Sequence, residues 1–411
     1  MKTSTKNSIL FLEILLWYRL LTVFVPAVAE YSPFIINALV VLGIYMALFF
    51  LAGVSFVIKT FFQFIPLYII TIANTLWGYR SSNLPMFLYG LMQWSLWPIA
   101  ISFIQKNQYA KEASRLYLVS LILILFTSLT TYFGNVSFPG ASRELAAIWA
   151  EESDRAHYYR TLNIGGFDFV YLLVLLIPIW IYSIRNEARF IPRVFIIASV
   201  IIAFLTIHIT QYTTALIISI LSLVLFLTPR TLSTRTLFIY LISGTVIFLL
   251  STSFIASLIS KYAATTDNHI VAERMAGVSD ILMGKSIEGD AESRQYLLTK
   301  SWESFKNNPL SGSRDVGGHS FILDAMGHYG IWGIMFLVLV FWGVFRLTIK
   351  PYKKETYYGY LLFSYISQIV LAFLNTTIIF EYFFIIVPLA SLSSGFRKPQ
   401  VSRAYGLKIG H

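Results

Sequence analysis

The sequence predicts an all-α, polytopic integral membrane protein with about twelve transmembrane helices and both termini in the cytoplasm. Three observations predict it. The 411 residues are 57% hydrophobic and only 12% charged, whereas a soluble domain carries about 25% charged residues. The apolar residues gather into runs of about 20, the length that crosses a hydrocarbon core of about 30 Å. The basic residues fall in alternate short loops. In lipid, backbone polar groups must be satisfied within their own segment, so these runs are expected to be helices.

In order, the apolar runs cover 8–29, 33–57, 60–77, 84–104, 115–133, 167–184, 194–209, 212–228, 236–259, 328–346, 357–374 and 377–394. The first has Lys2 and Lys6 ahead of it and Ala27-Val28-Ala29 behind, as in a secretory signal. Glu13 and Arg19 interrupt it and more runs follow, so an uncleaved first span is expected. Glu13 and Arg19 are six apart, on different helix faces, and should have separate partners. Only Asn375, Thr376 and Thr377 separate the last two runs.

The basic loops carry Lys2 and Lys6, Lys59, Lys106 to Arg115, Arg185 to Arg193, Arg230 and Arg235, Arg346 to Lys354, and Arg397 to Lys408. The short loops between them hold little charge, Arg80 excepted. This is the positive-inside pattern, and its alternation requires an even number of spans. Two longer loops, 134–166 and 260–327, then lie outside a single transmembrane domain spanning 1–411. The net charge of +11 does not imply nucleic acid, because the cations line one side of a membrane. The cytoplasmic loops are too short for a nucleotide-binding domain, and no P-loop pattern occurs. The absence of cysteine excludes thiol nucleophiles, disulfides and cysteine metal sites. Chemistry is therefore expected on the outer face.

The later loop holds the candidate site. Residues 291–307 have helical spacing, with Leu298, Trp302 and Phe305 on one apolar face. Asp290 or Ser293 can cap the start, and Asn308-Pro309 stops the helix. Arg294 falls in the first turn, where a cation opposes the helix dipole by a few tenths of a kcal/mol. An anion bound there would be attracted by guanidinium and helix N-terminus alike. Pairing with Glu292 or Asp290 would explain Arg294 equally well. Beyond the helix, Gly312, Gly317 and Gly318 surround Arg314. Glycines of this kind can turn successive N–H groups toward a phosphate, or can simply return the chain to the membrane.

His319 follows, a ready general base near neutral pH or an ordinary interfacial histidine bonded to backbone. A metal set of His319, His328, Asp315 and Asp324 would need a helix through Gly317-Gly318, so no metal and no cofactor is expected. Gly327, Gly330 and Gly333 recur every third residue, which suits close helix packing. Glu381, near the outer end of the last run, is an intramembrane carboxylate and so a candidate for binding substrate.

These residues resemble the O-antigen ligase and Wzy-type polymerase superfamily of bacterial surface-polysaccharide enzymes. The ligase-type pattern is His, then Asn, Ser or Gln, nine residues, Gly, two residues, then Gly, Thr or Tyr; His319, Ser320, Gly330 and Gly333 meet it. Arg294, Pro309, Leu310 and Gly312 meet the upstream pattern. Polymerases often carry Arg, ten residues, Gly in the earlier outer loop, as Arg155 and Gly166 do here. No second copy occurs in the later loop, where the eleventh residue after Arg294 is Phe305. The span count and the two outer loops also fit, and the resemblance implies a GT-C-like fold.

The resemblance implies a glycosyltransferase of the bacterial cytoplasmic (inner) membrane whose site faces the periplasmic or extracellular side. Donor and acceptor would be glycans linked to undecaprenyl diphosphate, with a chain-length regulator and a flippase as partner proteins. His319, Arg294 and Arg314 would be catalytic. Arg143, Arg155 and Arg160, with Gly312, Gly317, Gly318 and Glu381, would bind substrate. The three arginines of the earlier loop could instead pair with Glu144, Glu151, Glu152 and Asp154. A polymerase of repeat units is the leading expectation, and a ligase of the same superfamily is the nearest alternative. A lipid-linked sugar flippase suits the span count, but not the long outer loop or the lack of an internal repeat.

Overall fold

The computed structural model describes residues 3–76, 84–145, 154–187, 190–228, 235–237, 239, 252–265, 272, 275–276, 279, 290–376 and 378–392. Most of the expected span at 236–259, the side chain of Arg294, and the cluster from Arg397 to Lys408 lie outside the described residues. The described chain is helical, without strands. Its helices are α1 (Thr3–Phe24), α2 (Pro26–Tyr31), α3 (Phe34–Ala52), α4 (Val54–Gln63), α5 (Ile65–Leu76), α6 (Leu84–Lys106), α7 (Ala110–Ser137), α8 (Ala141–Glu144) and α9 (Asp154–Thr161). Then come α10 (Phe167–Asn186), α11 (Phe190–Ile209), α12 (Thr213–Leu223), α13 (Thr252–Thr265), α14 (Asp290–Asn307), α15 (Phe321–Tyr329), α16 (Ile331–Val344), α17 (Tyr358–Leu374) and α18 (Tyr382–Leu392).

Seven described helices are long and apolar enough to cross a membrane, or eight if the bent pair α4–α5 is one span. The α12, α17 and α18 helices are apolar but shorter. The run expected at 33–57 ends at Gly53, where φ is +84°. The next run is bent by 71° between α4 and α5. Composition marks an apolar run but not a bend within it, so a count of runs is not a count of straight helices.

The α10 helix forms the centre. Every residue from Phe169 to Tyr182 is buried, the pattern of a helix that is apolar all round and enclosed. The α11, α12 and α17 helices pack around it. Outer helices turn apolar residues outward instead, as with Leu118, Ile122 and Phe126 on α7 and Ile197, Ile201 and Leu205 on α11. Such rows suit lipid, and the protein is read as membrane-embedded.

The two ends of the bundle differ. At one, Glu13 receives Arg115 in a two-pronged pair, Nε to Oε1 at 2.6 Å and Nη2 to Oε2 at 2.5 Å. Arg185 there donates to the carbonyls of Leu225 and Thr228. Arg19, by contrast, donates to Asn37 Oδ1 at 3.3 Å, so Glu13 and Arg19 do have separate partners. The opposite end gathers α2, α8, α9, α14 and α15. Its earlier loop is tied down by Asn135, which bonds Ser142, and by Ser142, which donates to the Gly165 carbonyl at 2.7 Å.

Candidate functional site

The loop from Asn308 to Ser320 is organised by one carboxylate. Asp324, buried in α15, accepts from Ser301 Oγ at 2.6 Å, from the Gly318 N–H at 3.1 Å and from the Ser320 N–H at 3.0 Å. Ser301 in turn accepts from the Gly317 N–H at 2.8 Å. Ser320 caps α15 by accepting from the Leu323 N–H. The Phe321 N–H donates to the Asn375 carbonyl at 2.8 Å, which ties the loop to the end of α17. His319, half-buried, sits in the middle of this tied segment.

The glycines are explained differently from the expected phosphate cradle. The Gly317 and Gly318 N–H groups are bonded to Ser301 and Asp324, and that of Gly312 donates to the Asn308 carbonyl at 2.9 Å. These amides are therefore not offered to a ligand. What requires glycine is close approach. A Cβ on Gly317 would stand 2.0 Å from the Leu297 carbonyl oxygen, and one on Gly312 would stand 1.9 Å from that of His328. Gly312 and Gly318 also have φ of +70° and +72°.

The glycine series that follows breaks a helix and does not line a continuous one. Gly330 has φ of +61° and separates α15 from α16. Its substitution would strike the Pro309 carbonyl, and that of Gly333 the Ala325 carbonyl. The span expected from 328 thus begins at Ile331. His319, Ser320, Gly330 and Gly333 acquire one joint meaning: loop, cap, break and close contact around one short helix.

The expected apolar face of α14 is also rotated. Ser301 and Ser304 are buried, whereas Trp302 is 41% exposed and its ring lies tilted beside that of Phe305. Small serines let α14 approach the Val316–Gly327 region closely, and hydrophobic periodicity does not register them. Leu297 and Ser301 of α14 lie against the glycine loop. Arg314 is exposed. Lys300, absent from the sequence-based site, pairs with Asp315 at 2.5 Å, and the Asp315 carboxylate raises its pKa. Of the four residues weighed as metal ligands, Asp324 is bonded as above, His328 Nδ1 lies 3.0 Å from the Ser313 carbonyl oxygen, and Asp315 holds Lys300.

The earlier loop's arginines lie on two short helices that touch. Arg160 lies 3.6 Å from Glu30 of α2, which also holds His157 Nδ1 at 2.6 Å. That partner is far away in sequence and was not among the acids expected. Arg155 is exposed on α9, and Arg143 lies on α8.

Two neighbouring cavities enter the bundle from this end. The larger, about 500 Å³, is lined by Phe321, Asn74, Thr71, Thr376, Asp168 and Glu381, among others. The smaller, about 160 Å³, is lined by Arg19, Tyr68, Trp97 and again Glu381. Glu381 thus stands where they meet, immediately before a π-helical turn at Tyr382–Ile386, a distortion frequent at functional sites. Asn74 accepts from the Tyr329 hydroxyl, linking the larger cavity to α15. His319 does not line either cavity, but Phe321, two residues on, does. Asp168 escaped the sequence reading because an acid in the first turn of a helix is ordinary.

No protein-family model matches the chain, and no curated protein matches it.

Proposed function

We propose that this chain is a glycosyltransferase of the bacterial cytoplasmic membrane. It joins oligosaccharide units carried on undecaprenyl diphosphate, at the outer face, into a surface polysaccharide. The carrying observation is a juxtaposition. A tied loop bearing His319 runs directly into Phe321, which lines a mostly apolar cavity that also holds Asp168 and Glu381. The reading includes the GT-C-like, twelve-span topology with the loop end outside, which the alternation of basic loops supports.

In the reaction, an acceptor hydroxyl attacks the anomeric carbon while the bond from that carbon to the diphosphate oxygen breaks. The lipid diphosphate leaves with the bonding electron pair, and the hydroxyl proton passes to a base. A single displacement inverts the anomeric centre. His319, two residues before the cavity-lining Phe321, is the assigned base, and Glu381 orients the acceptor. Arg294, Arg314 and Lys300 bring positive charge to the loop end, where the leaving group becomes negative. The glycine amides do not share that task, because they are bonded internally.

A second reading is a ligase of the same superfamily, which moves finished glycan to another acceptor. Its pattern is met by His319, Ser320, Gly330 and Gly333, of which Ser320 caps α15 and the two glycines make close backbone contacts. Incubation of the purified protein with labelled lipid-linked units separates the readings. A ladder of lengthened lipid-linked glycan supports the polymerase, and label on a different acceptor supports the ligase. Absence of both products ends the transferase reading.

A further inference from the structure

The apolar face expected of α14 is not its packed face. Leu298, Trp302 and Phe305 follow one another at helical spacing, yet the side turned into the protein carries Ser301 and Ser304. Trp302 is exposed, and Leu298 and Phe305 are half-buried. A helix in a globular domain turns such a face to the core. A helix lying on a bilayer turns it to lipid.

The place of α14 in the fold says which surface meets this face. The chain leaves the helix at Asn307, and the Pro309 carbonyl accepts from the Ile331 N–H at 2.7 Å. Ile331 opens the candidate membrane span that begins with α16, so one end of α14 is pinned to one end of a span. Leu310, 74% exposed, lies at that junction with its backbone against Gly330. From there α16 turns Ile331, Trp332, Met335, Val338 and Trp342 outward, a row that suits lipid. At a rise of about 1.5 Å per residue, Trp302 and Phe305 stand within about 10 Å of Pro309 along the helix. They are therefore close to the boundary where tryptophan is enriched.

Charge agrees with that position. Lys306 Nζ lies over the Trp302 ring, 5.9 Å from its centre. A lysine that covers an indole while its ammonium stays in water suits the level of lipid headgroups. Thr299, Glu303 and Asn307 are exposed as well. At about 100° per residue they point about 60–140° away from Trp302, which leaves a polar side for water.

We infer that α14 is an interfacial helix. Leu298, Trp302 and Phe305, continued by Leu310, sit among the headgroups of the leaflet that α16 enters. The inference goes beyond the transferase reading and stands without it. Its consequence is positional. Ser301, on the packed side, bonds Asp324, so bilayer contact on one side of α14 sets the height of the His319 loop on the other.

The chain has no cysteine, so each single-cysteine variant carries one nitroxide. The test uses the full chain in phosphatidylcholine nanodiscs, with spin-label saturation read against oxygen and a water-soluble nickel chelate. Labels at Trp302→Cys and Leu310→Cys should be several-fold more accessible to oxygen than to the chelate, as at Val338→Cys on α16. Labels at Glu303→Cys and Asn307→Cys should show the reverse. Nickel access at 302 and 310 equal to that at 303 and 307 would make the face solvated and overturn the inference. Exclusion of both reagents at 302 and 310 would mean that protein covers the face, and would overturn it too. Where a labelled variant fails to fold, Trp302→Phe replaces it. The emission missing from that variant belongs to Trp302, and acyl-brominated phosphatidylcholine should dim it several-fold. Undimmed emission would overturn the inference. No readout involves turnover, so lack of glycan transfer leaves the interfacial helix standing, and solvated labels leave the transferase reading standing.

Discussion

Ser301 Oγ donates to Asp324 Oδ1 across 2.6 Å, and this bond joins α14 to α15 behind the loop that carries His319. The carboxylate accepts two loop N–H groups as well, so one side chain sets the path of Gly317 to Ser320. Asp324→Ala should leave those two amides without their acceptor and Ser301 without its shortest bond, at a cost of about 3 kcal/mol. Proteolysis confined to 309–320 and a lowered unfolding midpoint would report it. Unchanged protection of that loop would refute the tether.

His319→Ala should abolish glycan lengthening while lipid-linked single units accumulate outside the membrane. Electrophoresis of extracted glycan, together with a sidedness assay for the units, measures both. Units trapped inside would favour a transporter, and polymer of normal length would remove His319 from the mechanism.

Glu381→Gln tests the cavity independently of the loop. It keeps the shape and removes the charge of a residue that both cavities share. We expect slower transfer with an unchanged unfolding midpoint. Equal activity in parent and variant would confine the chemistry to the loop.

The glycines divide by what they would strike. Gly312→Ala meets a carbonyl oxygen at 1.9 Å in addition to its positive φ, whereas Gly53→Ala, with φ of +84°, meets only open space. The second should cost about 1–3 kcal/mol, and the first should prevent the folded loop from forming. Comparable unfolding midpoints for the two variants would contradict the close packing of residue 312 on His328.

The Glu13–Arg115 pair predicts an asymmetry. Glu13 is 3% exposed and Arg115 is 38% exposed. Arg115→Ala strands a buried carboxylate, which costs about 3–5 kcal/mol. Glu13→Gln leaves an arginine that can reach water, and should cost less. The recovery of monodisperse protein in detergent compares them, and equal losses would contradict the burial argument.

Much of the architecture could be read from composition. Helical runs, their spacing and the alternation of basic loops are local properties, because lipid forces each segment to satisfy its own backbone. The helix at Asp290–Asn307 could also be read locally, from its helical spacing and the Asn308-Pro309 stop, although neither Asp290 nor Ser293 lies ahead of it as the expected cap. Glu381 stood out as a carboxylate in an apolar run, and His319 as a titratable group in a polar, glycine-bearing loop. What could not be read was which groups meet. Glu30 holding Arg160, Ser301 holding Asp324, and Arg19 sharing a cavity with Tyr68 and Trp97 join residues far apart in the chain. The serine face of α14 was hidden because close packing selects small size, which hydrophobic periodicity does not record.

By itself, then, the sequence determined a helical membrane chain with a polar, glycine-bearing segment ahead of its final spans. Tertiary structure alone decided that the glycine amides are bonded internally and that α15 is a separate helix. It also decided that Asp168, Glu381 and Arg19 line adjoining cavities. The reason is physical: helix formation in lipid is settled within each segment, whereas hydrogen-bond partners and cavity walls depend on how the segments pack.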